Sequence, residues 1–396
     1  MASTRFDPLS LDADSIIAEA RERAGLEQFG DESFQQPMRR MLEAYESEAD
    51  LNENGRMAQR DRTIGLLVNR LRLEQWLTRH PEIQDEELRV PVVVCGLPRT
   101  GTTMLHRLLA SDPDTLAVRW FECRYPAPLE GNDWTREDAR IPAARQEIGQ
   151  LLEAVPGLAT VHPWDAEGPD EEIMLLENTF LSWMPESHAN VPEFGRWVRE
   201  QDRTPAYEYL ATLLRFLQWQ KRRAGDEASS WVLKAPYHLG VVELLLEAFP
   251  DATVVQTHRD PFETIPSICS MQLFLWQLGC DEPDPHQCGR LWGGNWMHAL
   301  RHALAMRDTR YPDRFVDIWY RDVAQDPVSQ LKRIHEATGR KLDAEAEASA
   351  RRWADENRRE NRPPHEYTME TFGFSEQQLA ADFHEYRERF ILPRAG

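Results

Sequence analysis

Between residues 90 and 112 the chain reads VPVVVCGLPRTGTTMLHRLLASD, a stretch that restricts the fold more than any other. Val90, Val92, Val93 and Val94 form a short β-branched run of the kind that fills a central strand. Gly96-Leu-Pro-Arg-Thr-Gly101 then reads as a tight turn, and apolar residues return at helical spacing at Met104, Leu105, Leu108 and Leu109. Such a strand–turn–helix unit gathers unpaired N–H groups and the positive end of a helix dipole at one point, which suits an anion. Loops that grip the β- and γ-phosphates of nucleoside triphosphates read GxxxxGK[ST]. Here the glycine spacing is kept, but Thr102 stands at the lysine position, Thr103 follows, and the cation, Arg99, lies inside the turn. The turn suits a phosphate-like group with no lysine directed at a β/γ-phosphate.

Composition bounds what surrounds this unit. The 396 residues are enough for one large α/β core with an appendage, and 41% hydrophobic with 29% charged residues describes a globular chain. The net charge of −21 argues against nucleic acid as a partner, because a phosphate backbone needs a positive face. A phosphate-rich ligand must then be held by a local cluster of cations working against the overall field. The five cysteines, Cys95, Cys123, Cys269, Cys280 and Cys288, are odd in number and form no CxxC pair. Reduced thiols are expected, with no zinc or disulfide framework and no metal requirement. No apolar run approaches the length of a membrane span, and the start MASTRFDPLSLDADS carries no apolar signal stretch. A cytoplasmic protein without stable membrane insertion is expected, and homo-oligomer formation is left open.

Along the chain, Ile16, Ile17, Ala20 and Ala24 recur at helical spacing before Gly25, a second helix is expected over 36–48, and a third over 63–78. Further helices are expected over 140–155, 171–183, 207–222, 239–249 and 327–339, with strands at 231–233, 252–257 and 315–319. Strands separated by helices predict a three-layer α/β fold with a P-loop-like parallel sheet and ligands at the strands' carboxyl ends. The expected organisation is a helical N-terminal extension over 1–88, an α/β core over 89–345 and a partly helical C-terminal tail over 346–396.

Three cations fall where strands end: Arg99 after the first, Lys234 after Trp231-Val-Leu, and Arg259 after Ala252-Thr-Val-Val-Gln-Thr-His. Carboxyl ends of parallel strands share one edge, so the three can converge on one anion. Ser267 lies eight residues beyond Arg259, past Pro261, where a hydroxyl can share a phosphate with the arginine.

These segments resemble the sulfotransferases that use 3′-phosphoadenosine 5′-phosphosulfate (PAPS). Gly96-Leu-Pro-Arg-Thr-Gly-Thr-Thr is similar to their 5′-phosphosulfate loop, and Arg259-Asp260-Pro261 with Ser267 to their 3′-phosphate segment. The Pro-Arg form is closest to bacterial members and, more distantly, to tyrosylprotein sulfotransferases. Trp231-Val-Leu-Lys-Ala-Pro-Tyr-His-Leu, Phe249-Pro-Asp-Ala and His365-Glu-Tyr-Thr-Met-Glu-Thr-Phe-Gly also look like segments of the bacterial group.

The resemblance implies that Arg99, Thr100, Gly101, Thr102 and Thr103 hold the 5′-phosphosulfate, that Arg259 and Ser267 hold the 3′-phosphate, and that Tyr320 lies near the adenosine. It implies PAPS as co-substrate, adenosine 3′,5′-bisphosphate as product, and a small-molecule acceptor carrying a hydroxyl or amine. The aromatic residue that related enzymes stack on adenine is replaced here by Met104. In-line sulfuryl transfer needs a positive donor near the departing oxygen, a role open to Lys234 or Arg99, and a base for the acceptor proton. Glu122 and His238 are the two candidate bases; His258 reads as structural.

Glu167, Asp170, Glu171 and Glu172 form an acidic group without converging histidines and read as a solvated helix start rather than a metal site. Arg358, Arg359 and Arg362 read as a solvated basic patch, with reach to a cofactor phosphate as the alternative. Residues 272–292, QLFLWQLGCDEPDPHQCGRLW, suit the wall of an acceptor pocket, and their apolar content favours a lipid-like or aromatic alcohol. Two rivals remain at this level: a P-loop-type nucleotide kinase or NTPase, and a non-catalytic nucleotide-binding protein.

Overall fold

The valine run lies where its composition puts it, at the centre of a parallel sheet. The structure, a computed structural model, describes residues 6–129, 131–162, 164–357 and 368–394. Three helices precede the sheet: Ala13–Ala24 (α1), Gln35–Ser47 (α2) and Glu53–Arg79 (α3). The strands are Val92–Gly96 (β1), Thr115–Leu116 (β2), Ser230–Lys234 (β3), Thr253–His258 (β4) and Phe315–Trp319 (β5). They pair in parallel in the order β2-β3-β1-β4-β5, with helix Thr102–Leu109 (α4) leaving β1 directly.

Period-two alternation sorts the strand residues into two cores. Val92, Val94, Val232, Val255 and Ile318 face one layer, packing on Leu105, Leu108 and Leu109 of α4 and on Leu331 and Ile334 of helix Pro327–Ala337. Val93, Cys95, Leu233 and Val254 face the other, under helices Thr204–Arg223, Val242–Ala248, Pro261–Trp276 and Pro285–Thr309. Helices on both faces of a parallel sheet make the three-layer α/β architecture expected from the sequence. All five cysteines are buried free thiols.

A further apolar cluster belongs to the N-terminal helices: Ile16, Met38, Leu42, Ile64 and Leu67 pack with Phe180 and Phe194 from the core segment. α3 begins ten residues before its expected start. Its first half is polar, yet Arg60 is buried, holding the Ser10 carbonyl at 2.5 Å and Glu19 of α1 at 2.7 Å. Asn52 caps it by accepting from Gly55 N at 2.8 Å, and a side chain at Gly55 would meet the Gly279 carbonyl at 2.2 Å. The expected helix over 171–183 is broken instead: a turn at Ile173–Leu176, a 3-10 turn at Glu177–Thr179, and Phe180 at φ 58°. Residues 272–292 complete helix Pro261–Trp276 and open helix Pro285–Thr309, with Trp276 and Trp292 buried in the core.

One buried acid sets a pH dependence. Glu186 is fully buried, with Asn295 at 3.4 Å and Arg199 at 3.5 Å and one oxygen without a hydrogen-bond partner among the described residues. Burial pushes its carboxyl up to about 7 from the ordinary 4.5, against the opposing charge of Arg199. Between those two values the folded chain holds a proton that the unfolded chain has released, so stability falls as pH rises through that window. Urea unfolding at pH 5 and pH 8 is expected to show a loss of about 2–3 kcal/mol from this group, absent in Glu186→Gln. An unchanged pH slope in the variant would remove the assignment.

Candidate active site

The turn after β1 is built around two close approaches. Gly96 (φ 153°) passes so near β4 that a Cβ would lie 2.1 Å from Thr257 Oγ1. Gly101 (φ 88°) lies against Tyr320, whose ring a Cβ would meet at 2.9 Å. Arg99 also takes a left-handed backbone, φ 71°, unusual for a side chain with a Cβ. The Thr100 hydroxyl donates to the Leu97 carbonyl at 2.6 Å and meets Thr257 Oγ1 at 2.6 Å, fully buried. That corrects part of its expected role: this hydroxyl pins the turn to β4, leaving the backbone as what Thr100 offers a ligand. α4 starts on Gly101 with no side-chain cap, so its first turn presents uncapped N–H groups at the turn.

Lys234, at the end of β3, is buried to 1% side-chain exposure. A buried ammonium requires anionic or hydrogen-bonding partners. It has Thr103 Oγ1 at 3.3 Å and the Glu171 carboxylate in direct contact. Next to it, Glu172 accepts from the Lys234 backbone N–H at 2.8 Å and from His238 Nε2 at 2.7 Å, while His238 Nδ1 meets the Tyr207 hydroxyl at 2.6 Å. Burial alone would raise the Glu172 carboxyl; the bonds to His238 and Lys234 N carry it below the usual range. Tyr207 donating to Nδ1 and Nε2–H donating to Glu172 satisfies all three groups. Asp170 is held at about 2 by His162, 2.8 Å away, and by Lys234, overcoming its burial. Under this group His106 is buried on α4, and burial, with Lys234's charge, lowers it to about 3.

The solvated helix start expected over 167–172 is therefore corrected. Only Glu167 is a surface residue, paired with Arg145; Asp170 and Glu172 are buried and Glu171 faces the turn. The signal that could have found them is Lys234 itself, since a cation on a buried sheet edge needs carboxylates nearby.

At the end of β4, Arg259 donates to the Arg99 carbonyl at 3.1 Å and lies 4.7 Å from the Tyr320 ring centroid, joining three expected cofactor residues. Its Nε and Nη2 donate to the Glu263 carboxylate one turn on, at 3.0 and 2.5 Å. Ser267 lies half-buried in the second turn of helix Pro261–Trp276, which Asp260 caps through Phe262 N at 3.0 Å. The C-terminal helix His384–Phe390 braces this corner. Arg387 holds both Asp260 oxygens at 3.1 Å and stacks 3.8 Å over Phe262. His258 lies between Tyr386 and Asp317, each at 2.9 Å, and stacks on Phe390. Trp319 Nε1 donates to the Phe390 carbonyl at 2.7 Å. Sequence reading did not anticipate this brace; His258 is the structural residue it expected.

The two expected bases sit in contacts of their own. Glu122 is buried at the first turn of helix Trp120–Arg124, one oxygen accepting from Arg119 N at 2.8 Å and the other on Lys221. His238 has both ring nitrogens engaged, as above. Among the described residues no group of three or more His, Cys, Asp or Glu is placed to hold a metal ion, and no helix is long and apolar enough to cross a membrane. Arg358, Arg359, Arg362 and the start of the His365 segment lie outside the described residues.

Comparison with known proteins agrees with this geometry. Over 255 residues the chain is 24% identical to the omega-hydroxy-beta-dihydromenaquinone-9 sulfotransferase Stf3 of Mycobacterium bovis, a match spanning 63% of this chain and 62% of that protein's length. The crystal structure of sulfotransferase STF9 from Mycobacterium avium superposes with a TM-score of 0.86 at 27% identity, covering 96% of this chain and 97% of that one. Sulfotransferase STF1 from Mycobacterium tuberculosis gives 0.83 at 28% identity, covering 94% and 98%. The kinase alternative gains no support from any of these. The pattern described as Sulfotransferase family matches residues 91–344, which include the turn, Lys234, Arg259 and Tyr320, and the chain belongs to that family.

Proposed function

We propose that this protein transfers a sulfuryl group from PAPS to the hydroxyl of a small, lipid-like acceptor. The observation that carries the reading is the convergence of three strand-end cations on one turn: Arg99 within it, Lys234 on Thr103, and Arg259 on the Arg99 carbonyl. The residues present suit the co-substrate. Uncapped N–H groups at the start of α4, with Arg99 and Lys234, suit the 5′-phosphosulfate, and Arg259, Ser267 and Tyr320 suit the phosphorylated ribose and adenosine. When bound, PAPS supplies the sulfuryl group on an activated linkage to phosphate. Lys234 then places a positive charge where negative charge grows on the departing oxygen, in a site whose burial strengthens that interaction.

A lipid-like acceptor is supported by the relative Stf3, which is named for a hydroxylated dihydromenaquinone. Thermal-shift titration tests the cofactor assignment: adenosine 3′,5′-bisphosphate is expected to stabilise the protein more than AMP or ATP at equal concentration. A preference for ATP would overturn it.

A further inference from the structure

Three consecutive acids, Asp170, Glu171 and Glu172, adjoin the turn, and they are held in different ways. Asp170 is buried and pinned by His162 and by its own chain, accepting from Glu171 N at 2.7 Å. Glu172 is buried and pinned by His238 and Lys234 N. Glu171, between these two anchors, keeps 24% of its side chain exposed, and among the described residues its carboxylate is held by Lys234 Nζ, which itself lies 3.3 Å from Thr103 Oγ1. A carboxylate fixed on both flanks and set one ammonium away from an anion-binding turn is positioned for the acceptor side of that turn. Glu122 and His238 lack this freedom, since their polar atoms are already spent on Lys221, Arg119, Glu172 and Tyr207.

We propose that Glu171 is the general base of sulfuryl transfer, and that Lys234 holds it silent until an anion occupies the Thr102–Thr103 turn. The inference rests on the sulfuryl-transfer reading above. Without ligand, the buried Lys234 ammonium needs Glu171 as its counter-ion. An anion at the turn gives that ammonium a second partner, and the carboxylate is released to accept a proton. The acceptor O–H proton then passes to Glu171 while the acceptor oxygen forms the new bond to sulfur. The bond from sulfur to the phosphate oxygen breaks, and its electron pair stays on that oxygen beside Lys234. Base and electrostatic donor thus form one pair that separates on loading, so the base is freed only in molecules whose turn is occupied.

The arrangement makes affinity and turnover move in opposite directions. In Glu171→Gln, Lys234 loses its internal competitor, so calorimetric binding of adenosine 3′,5′-bisphosphate is expected to tighten by about 3–10-fold. Single-turnover transfer from PAPS to a prenyl alcohol is expected to fall by roughly 10²–10⁴-fold. With 4-nitrophenol at mildly alkaline pH, where it is largely ionised and so needs little help from a base, the loss should be much smaller. Glu171→Asp keeps the charge and should recover part of the prenyl alcohol activity, which guards against a folding defect in the glutamine variant. Unchanged or weaker binding in Glu171→Gln overturns the competition with Lys234. Full activity, or equal losses on both acceptors, overturns the base assignment. A wild-type protein that fails to bind adenosine 3′,5′-bisphosphate overturns the underlying reading instead.

Discussion

Lys234→Met is expected to lower turnover by about 10²–10³-fold, the cost of removing one preorganised donor from a developing negative charge. Methionine preserves the length and most of the volume of the lysine stem, so the side chain still fills its buried slot at the end of β3. The backbone N–H that donates to Glu172 is untouched, and the Glu172–His238–Tyr207 chain should stay in place. What disappears is the ammonium between Glu171 and Thr103. Binding of adenosine 3′,5′-bisphosphate should weaken far less than turnover falls, because the turn's N–H groups, Arg99 and Arg259 all remain. Single-turnover kinetics beside calorimetry separates the two effects. Equal losses in binding and rate would mean that Lys234 holds the ligand without favouring the transition state.

Arg259→Ala is expected to abolish the distinction between a nucleotide with a 3′-phosphate and one without. Charge-assisted hydrogen bonds to phosphate are worth roughly 1.5–3 kcal/mol, so affinity for adenosine 3′,5′-bisphosphate should drop about 10–100-fold while that for AMP barely moves. Arg259 also donates to the Arg99 carbonyl, and Arg99 sits in a left-handed backbone conformation. Some of the loss should therefore appear at the 5′ end of the ligand. Arg259→Lys discriminates between these contributions: a point charge is retained, but the fork that spans the Arg99 carbonyl and a phosphate is not. A variant that keeps the preference for the 3′-phosphate would place that phosphate elsewhere on the protein.

The parts of this architecture that were legible in the sequence are those whose cause is local. Val92 to Leu109 announced itself because a β-branched run, two glycines and a helical apolar stripe follow in unbroken order. β5, at Phe315–Trp319, fell within its expected bounds for the same reason. Arg99, Lys234 and Arg259 could be grouped because one rule, that parallel strands end on one edge, acts on all three. The acids opposite them were missed because their meaning is set by residues far along the chain. Glu171 meets Lys234 across 63 residues and Glu172 meets His238 across 66. Read locally, two glutamates before Ile173-Met-Leu-Leu look like the solvated start of an amphipathic helix. They are instead the counter-charges of a buried lysine, and the helix they were expected to open ends after one turn. Glu122 is a further case, since its place after the turn shows in the sequence while its contact with Lys221 spans 99 residues.

The brace formed by helix His384–Phe390 bears on the order in which the protein is assembled. Arg387 reaches Asp260 across 127 residues, and Trp319 reaches Phe390 across 71. Residues 384–390 are synthesised after every strand of the sheet, so these contacts can form only once the strands' own residues are already available to pair. The sheet and the turn can take shape from β1, β3 and β4 alone, but the corner that carries Arg259 and Tyr320 is secured only when residues from the far end of the chain dock on it. A nascent or partly unfolded chain would thus own a phosphate-gripping turn before it owned a means of telling one nucleotide from another. Selectivity, in this molecule, is a property acquired last.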